Sequence, residues 1–136
     1  MPRQRDTYVV VTVDTCNLIK GESVSENMVT FSDNRGDKSG GLKFESKVNA
    51  GKSIIWIGIA KDSSECPTIV DIIKIDRKPD GGAQILNNPP YLESPSNPGV
   101  VVGKIRSNHV KGIEYYYIKI RVNNIEYTID PQMRMT

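Results

Sequence analysis

GIEYYYIKIRVNNIEYTIDP, residues 112–131, is the stretch that decides the fold. From Tyr116 to Val122 every second residue is apolar, and the residues between them include Lys119 and Arg121. Side chains alternate between the two faces of an extended strand, so this spacing places the apolar residues on a buried face and the charged residues on a solvated one. The period of two predicts a β-strand.

The same stretch contains its own turn. Asn123 and Asn124 interrupt the alternation, and asparagine tolerates the positive φ that a two-residue hairpin turn requires. The alternation resumes over residues 125–129, which predicts a second, antiparallel strand. Pro131 has no N–H to donate, so we expect the pairing to end there.

The rest of the chain repeats the strand pattern between turn-rich segments. Residues 8–14 and 52–61 are mainly apolar, and in residues 8–14 the apolar side chains occupy both faces, which is typical of a strand inside a sheet. The chain has 11 glycines and 8 prolines and no sustained helical stripe. These features predict an all-β fold: an antiparallel two-sheet β-sandwich, Ig-like or jelly-roll-like, with about eight or nine strands.

At 136 residues the chain is long enough for one hydrophobic core. We therefore predict a single β-sandwich domain over residues 1–136, in which residues 1–6 form a flexible N-terminal arm. The residues expected to supply most of the core are Val11, Val13, Leu42, Phe44, Ile55, Trp56, Ile57, Ile73, Ile75, Val102, Ile118, Ile120 and Ile129.

One acidic residue does not fit the strand pattern. Asp71 has the same phase as Ile69, Ile73 and Ile75, so a regular strand would bury its carboxylate. Two structural interpretations remove the conflict: a β-bulge that changes the phase, or a carboxylate that accepts hydrogen bonds from backbone donors. Both are favoured over a functional site.

The charges of the chain are nearly balanced, because 18 basic and 16 acidic residues leave a net charge of +2. Such a chain has no strong field to attract nucleic acid or an anionic membrane. No apolar run has the length of a membrane span or the form of a signal peptide. We predict a cytoplasmic protein, the alternative being a secreted mature form whose leader has been cut away.

The chain has two cysteines, Cys16 and Cys66. This count allows one disulfide, but no framework of spaced cysteines supports it. Because a cytoplasmic location favours reduced thiols, we expect both cysteines to be free.

The sequence lacks the residue sets that catalysis requires. His109 is the only histidine, and it lies in the turn-like segment SNHVKG at residues 107–112. Nucleophilic catalysis by serine or cysteine needs an imidazole oriented in a pocket, and the chain has no HExxH, P-loop or dinucleotide-binding motif. The sequence therefore predicts a protein that is not an enzyme and that uses no cofactor.

Two acidic loops are candidates for a calcium site. Calcium takes six to eight oxygen ligands, which two neighbouring loops could share. Arg35 and Lys38 oppose the negative charge that such a site needs, and the spacing differs from that of an EF-hand, so solvated turns are the favoured interpretation. The candidate ligands are Asp33, Asp37, Asp62 and Glu65.

Three tyrosines and one arginine are the candidate binding residues: Tyr91, Tyr115, Tyr117 and Arg121. Tyr115 and Tyr117 lie on the outward face of the hairpin strand beside Arg121, where aromatic rings can stack on a sugar or anchor a protein partner. Tyr91 lies in a proline-rich loop at residues 87–99, and long loops often build binding surfaces. The favoured alternative is that these tyrosines pack across strands beneath that loop.

Four segments of the chain together resemble the AidA/PixA inclusion-body protein family. They read YVVVTVDT at residues 8–15, GKSIIWIGIAKD at 51–62, IVDIIKI at 69–75 and YYYIKIRVNNIEYTIDPQMRM at 115–135. The most specific element is Ile129-Asp130-Pro131 after the hairpin. The resemblance implies a soluble β-sandwich protein that accumulates in bacterial cells and self-associates, and it implies no catalytic residues.

These observations favour a non-enzymatic protein that binds copies of itself to form a homo-oligomer. The contact would use either the edges of its sheets or the outward face that carries Tyr115 and Tyr117, which we call the tyrosine face. The alternative is a module that binds a carbohydrate or protein ligand through residues 87–99, Tyr115 and Tyr117. Neither nucleic acid nor a membrane is an expected partner.

Overall fold

The structure, a computed structural model, describes residues 5–18, 28–36, 38–40, 44–61 and 66–136. These residues contain eleven strands and one turn of 3-10 helix, Thr15–Asn17, which is more strands than the eight or nine predicted. The strands are β1 Thr7–Val13, β2 Val29–Asp33, β3 Lys38–Gly40, β4 Glu45–Val48, β5 Ser53–Ala60, β6 Asp71–Gly82, β7 Tyr91–Leu92, β8 Val100–Lys104, β9 Ile113–Val122, β10 Ile125–Ile129 and β11 Gln132–Met135.

The strands form two sheets packed face to face, as a sandwich. The first sheet has the order β3-β2-β1-β5-β8, and the second has the order β4-β11-β9-β6-β7, with β10 paired to β9. The prediction of purely antiparallel sheets is wrong, because β1 pairs in parallel with β5 and β4 pairs in parallel with β11. Alternation within a strand shows which face is buried, but it carries no information about the direction of a neighbour that is distant in sequence.

The predicted hairpin is confirmed. Asn123 and Asn124 have φ values of 51° and 65°, and β9 and β10 pair on either side of them. The expectation that Pro131 ends the pairing is wrong, because Gln132 again lies opposite β9. Pro131 lacks an N–H but keeps its carbonyl oxygen, which accepts a hydrogen bond of 3.2 Å from the Tyr116 amide.

The core lies between the sheets and is centred on large aromatic and branched side chains. Trp56 and Tyr116 are fully buried, with ring centroids 5.8 Å apart, and Phe31 stacks on Phe44 at 4.9 Å. The predicted core residues Val11, Val13, Phe44, Trp56, Ile75, Ile118, Ile120 and Ile129 are buried.

Four other predicted core residues lie elsewhere. Val102 is exposed, and Ile55, Ile57 and Ile73 are only half-buried. Nearly every position of β5 is apolar, so its sequence does not show which face is inside, and the structure buries Ile54 in place of Ile55. Leu42 lies outside the described residues.

Of the two structural interpretations of Asp71, the β-bulge is confirmed. The pairing of β6 with β9 shifts register between Ile72 and Lys74. The extra residue lets both Ile72 and Ile75 point into the core, whereas Ile73 and Asp71 are only partly buried.

The expectation of free thiols is wrong in this structure, because Cys16 and Cys66 form a disulfide with Cα atoms 5.2 Å apart. The two residues are 50 positions apart in sequence. They meet because Cys16 follows β1 in the first sheet and Cys66 precedes β6 in the second. Thr15 supports the same junction, since its hydroxyl donates to the Pro67 carbonyl at 2.7 Å.

The described part of the predicted N-terminal arm contacts the sandwich. Arg5 donates from its guanidinium to the Asn34 carbonyl at 2.9 Å, and the Asp6 carboxylate accepts from the Ser53 amide at 2.8 Å. Residues 1–4 lie outside the described residues. Among the described residues, no helix is long and apolar enough to cross a membrane.

Candidate functional site

The outer face of the second sheet, which carries the predicted tyrosines, is lined with ion pairs. All of these pairs are partly exposed to solvent, and most of them join different segments of the sheet. They are Lys74–Asp76 at 3.7 Å, Lys78–Asp130 at 2.7 Å, Lys119–Glu126 at 3.6 Å, Arg121–Asp71 at 3.2 Å and Arg134–Glu45 at 3.3 Å.

The structure places Tyr115 and Tyr117 on this outer face, as predicted, but displays them unequally. Tyr115 is 38% exposed. Tyr117 is half-buried, and the ammonium group of Lys78 lies 5.2 Å from the centre of its ring, a cation–π distance. Asp130 holds that ammonium group in place. Tyr117 is therefore covered by a side chain of its own chain, and Tyr115 is the more accessible ring.

Tyr91 joins the loop at residues 87–99 to the edge of the first sheet. Its hydroxyl lies 3.1 Å from the Lys104 carbonyl and also contacts the Asn87 carbonyl. Its ring packs close to Gly103, where an added Cβ would lie 3.1 Å from the ring. Burial raises the pKa of this hydroxyl above its ordinary value of 10.0. These contacts anchor the loop, and a binding role for Tyr91 remains a prediction.

Arg121 lies between two carboxylates. Its Nη2 atom is 3.2 Å from Asp71 and 3.2 Å from Glu93, and the hydrogen bond to Asp71 raises the pKa of the guanidinium. Glu93 also accepts a hydrogen bond of 2.8 Å from the Gly99 amide. Arg121 thus ties the end of the 87–99 loop to β6 and β9.

Two adjoining grooves lie beside Asp71. The first has a volume of about 290 Å³ and is bordered by polar groups of Arg121, Asn123 and Asn124 as well as by the apolar side chain of Ile69. The second has a volume of about 430 Å³ and is lined mainly by apolar residues from β5, from residues 68–70 and from residues 98–100. The first groove thus brings the hydrogen-bonding side chains of Arg121, Asn123 and Asn124 together at an open surface.

Sequence reasoning missed a buried carboxylate, Glu114. One of its oxygens accepts from the amides of Ile85 and Leu86, both at 2.7 Å, and the other accepts from Arg77 Nε at 2.8 Å. Glu114 is fully buried. It shares the strand phase of Tyr116, so the inward acid could have been recognised from the alternation. Its hydrogen-bond donors are two backbone amides and Arg77, so Glu114 attaches residues 85–86 to β9.

Sequence reasoning also missed the outer face of the first sheet. Seven apolar side chains lie there, of which Tyr8, Ile59 and Val102 are 46%, 45% and 51% exposed. The strand register makes them neighbours: Tyr8, Ile55 and Val102 form one row across three strands, and Val10, Ile57 and Val100 form the next. We call these seven residues the apolar face: Tyr8, Val10, Ile55, Ile57, Ile59, Val100 and Val102. The signal for it was present, because β1 and β5 are apolar on both faces.

The structure places one of the four candidate calcium ligands. The Asp33 carboxylate accepts from the Arg35 amide at 2.8 Å and from the Ser46 hydroxyl at 3.1 Å. The other three, Asp37, Asp62 and Glu65, lie outside the described residues, so the calcium site remains a prediction. Within the described ranges, no three His, Cys, Asp or Glu side chains come together as a metal site would require.

The sequence matches no family model and no curated protein. A solved structure does match: the crystal structure of the inclusion body protein PixA from Burkholderia cenocepacia J2315 has a TM-score of 0.70 to this chain. The likeness covers 99% of this chain and 97% of that chain, at 11% sequence identity. The fold is similar to that of a PixA inclusion body protein. The resemblance to this family predicted from the sequence is thus supported by the PixA-like fold over nearly the whole chain.

Proposed function

We propose that this protein is a non-enzymatic β-sandwich that binds copies of itself, and that the apolar face is the surface through which it does so. The observation that carries the proposal is the contiguous exposure of Tyr8, Ile59 and Val102 with four half-buried aliphatic residues between them. Monomeric proteins rarely expose large contiguous apolar patches, and those that exist usually mark an interaction site.

The strand arrangement adds a second argument. β1 and β5 are parallel neighbours, and parallel strands that read as continuous apolar runs are typical of sheets covered on both faces. In one copy of this chain the inner face of these strands contacts the core, while the outer face carries no second layer among the described residues. A further layer would bury the apolar face in the way that this type of strand normally requires.

The apolar face can form the centre of a specific contact. It lies on β1, β5 and β8, which contain 7, 8 and 5 residues, and three such strands about 4.8 Å apart span roughly 300 Å² in projection. A standard protein interface buries about 800 Å² of accessible surface on each partner and surrounds an apolar centre with a polar rim. The polar residues that surround the apolar face on the same sheet would supply that rim.

The other surfaces predicted for self-association are less suited to it. The tyrosine face is lined with ion pairs, which would have to be desolvated on contact. Among the described residues β10 pairs only with β9, so it presents a strand edge of five residues. Strand edges can template pairing with another copy. We assign the contact to the apolar face and treat the β10 edge as an outcome of the test.

The non-enzymatic part of the proposal rests on the missing residue sets. His109, the only histidine, is exposed between β8 and β9. Glu114, the most buried carboxylate among the described residues, accepts from backbone amides and from Arg77. The name of the similar structure, an inclusion body protein, supports a protein that accumulates through association.

The test compares three variants by size-exclusion chromatography with light scattering over about a hundredfold range of concentration. We expect the wild type to exceed its monomer mass of 15.1 kDa and Val102→Lys to remain monomeric. Leu92→Lys is the matched control, because Leu92 is a 65% exposed aliphatic residue on the other sheet. A wild type that stays monomeric throughout would contradict the proposal.

A third variant separates the face from the edge. In a hairpin with a two-residue turn, hydrogen-bonded residue pairs alternate with non-bonded pairs, starting from the bonded pair next to the turn. Thr128 and Lys119 form a non-bonded pair, so the Thr128 N–H points away from β9 and proline is tolerated at this position. Thr128→Pro blocks edge pairing and should leave assembly unchanged. If it abolishes assembly while Val102→Lys does not, the contact lies at the edge and the apolar face is not the interface.

A cytoplasmic location belongs to the proposal as well, and the Cys16–Cys66 disulfide bears on it directly. Disulfides persist mainly in oxidising compartments. Alkylating thiols in intact cells before lysis distinguishes the two cases. Two modified cysteines per chain would support the cytoplasm, and none would place the protein in an oxidising compartment.

The first groove favours a second candidate function, binding of a carbohydrate or another polar ligand. Arg121, Asn123 and Asn124 present hydrogen-bonding groups around a groove of about 290 Å³ that the apolar side chain of Ile69 also lines. A glycan array tests it, with the double variant Asn123→Gly/Asn124→Gly as the probe. Glycine keeps the positive φ of the turn and removes both amides. Glycan binding by the wild type that the double variant loses would support this function.

A further inference from the structure

We infer that two copies of the chain pack their apolar faces together about a two-fold axis parallel to β5, so that β1 of each copy lies over β8 of the other. This inference rests on the proposed self-association and adds its partner geometry. Its evidence is the placement of two opposite charges, Asp6 and Lys104, at one end of the apolar face.

The strand order fixes where these charges lie. β5 runs between β1 and β8, and Ser53 at its start is paired with Lys104 of β8. On the other side, Asp6 precedes β1, and its carboxylate accepts from the Ser53 amide at 2.8 Å. The Lys104 ammonium group donates to the Ser53 hydroxyl at 3.1 Å. The two charged groups therefore flank Ser53 from opposite sides of β5, at the same level along it.

A two-fold axis along β5 exchanges the two sides of the sheet without reversing the strand direction. It places Asp6 of each copy over Lys104 of the other, which forms two interchain ion pairs. The same rotation places Tyr8 over Val102 and Val10 over Val100, because these residues occupy equivalent rows on either side of β5. Every apolar residue of the face then meets an apolar residue.

The alternative in-plane axis, perpendicular to β5, gives a worse match. It places β1 over β1 in the opposite direction, which brings Asp6 of one copy toward Asp14, the residue after β1, and toward Lys61, whose amide donates to the Val13 carbonyl at 2.8 Å. Because an acid and a base lie side by side there, Asp6 gains no net attraction, whereas the axis parallel to β5 forms two ion pairs. Charge complementarity therefore selects the axis parallel to β5.

The composition of the segments outside the described ranges argues against any of these segments as the occupant. Residues 1–4, 19–27, 37, 41–43 and 62–65 lie outside the described residues. Their large apolar side chains are few: Met1, Ile19, Val24 and Leu42. These scattered residues cannot form a second apolar layer over seven contiguous side chains.

The experiment is a charge exchange in the full-length chain, with dissociation constants measured by analytical ultracentrifugation. In an Asp6→Lys homodimer the introduced ammonium group would face Lys104 of the other copy twice. In a Lys104→Asp homodimer the introduced carboxylate would face Asp6 twice. We expect each single variant to dimerise about tenfold more weakly than the wild type, and the double variant Asp6→Lys/Lys104→Asp to regain most of the loss.

Mixing the two single variants gives the sharper result. In the mixed dimer one of the two contacts joins the two unchanged residues and the other joins the two introduced ones, so both ion pairs are complementary. We therefore expect heterodimers to dominate over either homodimer when one variant carries an isotope label and native mass spectrometry counts the species.

Two further variants serve as controls. Lys119→Asp, which makes the same change on the outer face of the second sheet, should leave the dissociation constant unchanged. Asp6→Asn keeps an acceptor for the Ser53 amide and removes only the charge, so it replaces Asp6→Lys should that variant fail to fold.

The outcomes separate this inference from the proposal beneath it. Random mixing of the single variants, or single variants that dimerise as tightly as the wild type, overturns the two-fold arrangement. If Val102→Lys still abolishes assembly in that case, self-association through the apolar face stands. A wild type that is monomeric at every concentration overturns both.

Discussion

The indole N–H of Trp56 donates a hydrogen bond of 3.1 Å to the Tyr116 hydroxyl, inside the core and across the two sheets. Trp56 belongs to β5 of the first sheet and Tyr116 to β9 of the second, and both side chains are fully buried. A buried indole N–H needs an acceptor, because an unpaired polar group in the interior costs free energy. This pair is therefore a polar link between the two sheets, in addition to the hydrogen bond from the Ser46 hydroxyl to Asp33.

Tyr116→Phe removes the acceptor and leaves the Trp56 N–H buried without a partner. We expect the free energy of unfolding to fall by about 1–3 kcal/mol. Urea unfolding followed by tryptophan fluorescence measures it, since Trp56 is the only tryptophan. Tyr115→Phe is the matched control on the same strand and should change stability by less than about 0.5 kcal/mol. Equal effects at the two positions would show that the buried hydrogen bond contributes little.

Tyr116 also illustrates what the sequence can predict. The alternation in β9 places Tyr116 inward because charged residues mark the opposite face, and the hairpin follows from Asn123 and Asn124. Local patterns of this kind need no information from elsewhere in the chain. The misfit of Asp71 likewise predicts either a bulge or a carboxylate that accepts from backbone donors, because one inward carboxylate among isoleucines conflicts with a strict period of two.

Features that depend on distant segments cannot be predicted in this way. The parallel pairing of β1 with β5 joins segments more than forty residues apart, and the Cys16–Cys66 disulfide spans 50 positions. In β5 nearly every residue is apolar, so its sequence does not show which alternate positions point inward. The core predicted from sequence therefore includes Ile55 and Ile57, which belong to the apolar face. That error and the missed surface have the same cause: a strand that is apolar on both faces does not show which face lies inside.

The buried ion pair of Glu114 and Arg77 leads to a second stability prediction. Glu114→Gln removes the negative charge that faces the Arg77 guanidinium. It also replaces one of the two carboxylate oxygens, which together accept hydrogen bonds from three N–H groups, with an NH2 group that donates. We expect a loss on the order of 3 kcal/mol, because a partly buried guanidinium would be left without its partner charge. Glu126→Gln, on the exposed face of β10, is the control and should be nearly neutral. Chemical denaturation of both variants measures the difference.

The disulfide should contribute substantially to stability. Closing a chain segment of 50 residues removes loop entropy from the unfolded state equivalent to about 4 kcal/mol. We expect dithiothreitol, or the double variant Cys16→Ser/Cys66→Ser, to lower the free energy of unfolding by up to this amount. The reductant should have no effect on the double variant. A wild type whose unfolding midpoint is unchanged by reductant would indicate that the thiols are already reduced in the purified protein.

Alkaline pH should destabilise the fold through Tyr116. Burial raises the pKa of its hydroxyl above the ordinary value of 10.0, so the folded state holds a proton that the unfolded state releases. The resulting stability is fully present below pH 10 and is lost as pH rises above it, with a slope of at most about 1.4 kcal/mol per pH unit from this residue. Tyr91, whose pKa is also raised by burial, adds to the same trend.

Urea midpoints measured between pH 8 and about 11.5 should therefore fall more steeply for the wild type than for Tyr116→Phe, which has no hydroxyl to titrate at this position. Parallel curves for the two proteins would mean that Tyr116 ionises as readily in the folded state as in the unfolded chain, which its full burial beside Trp56 argues against.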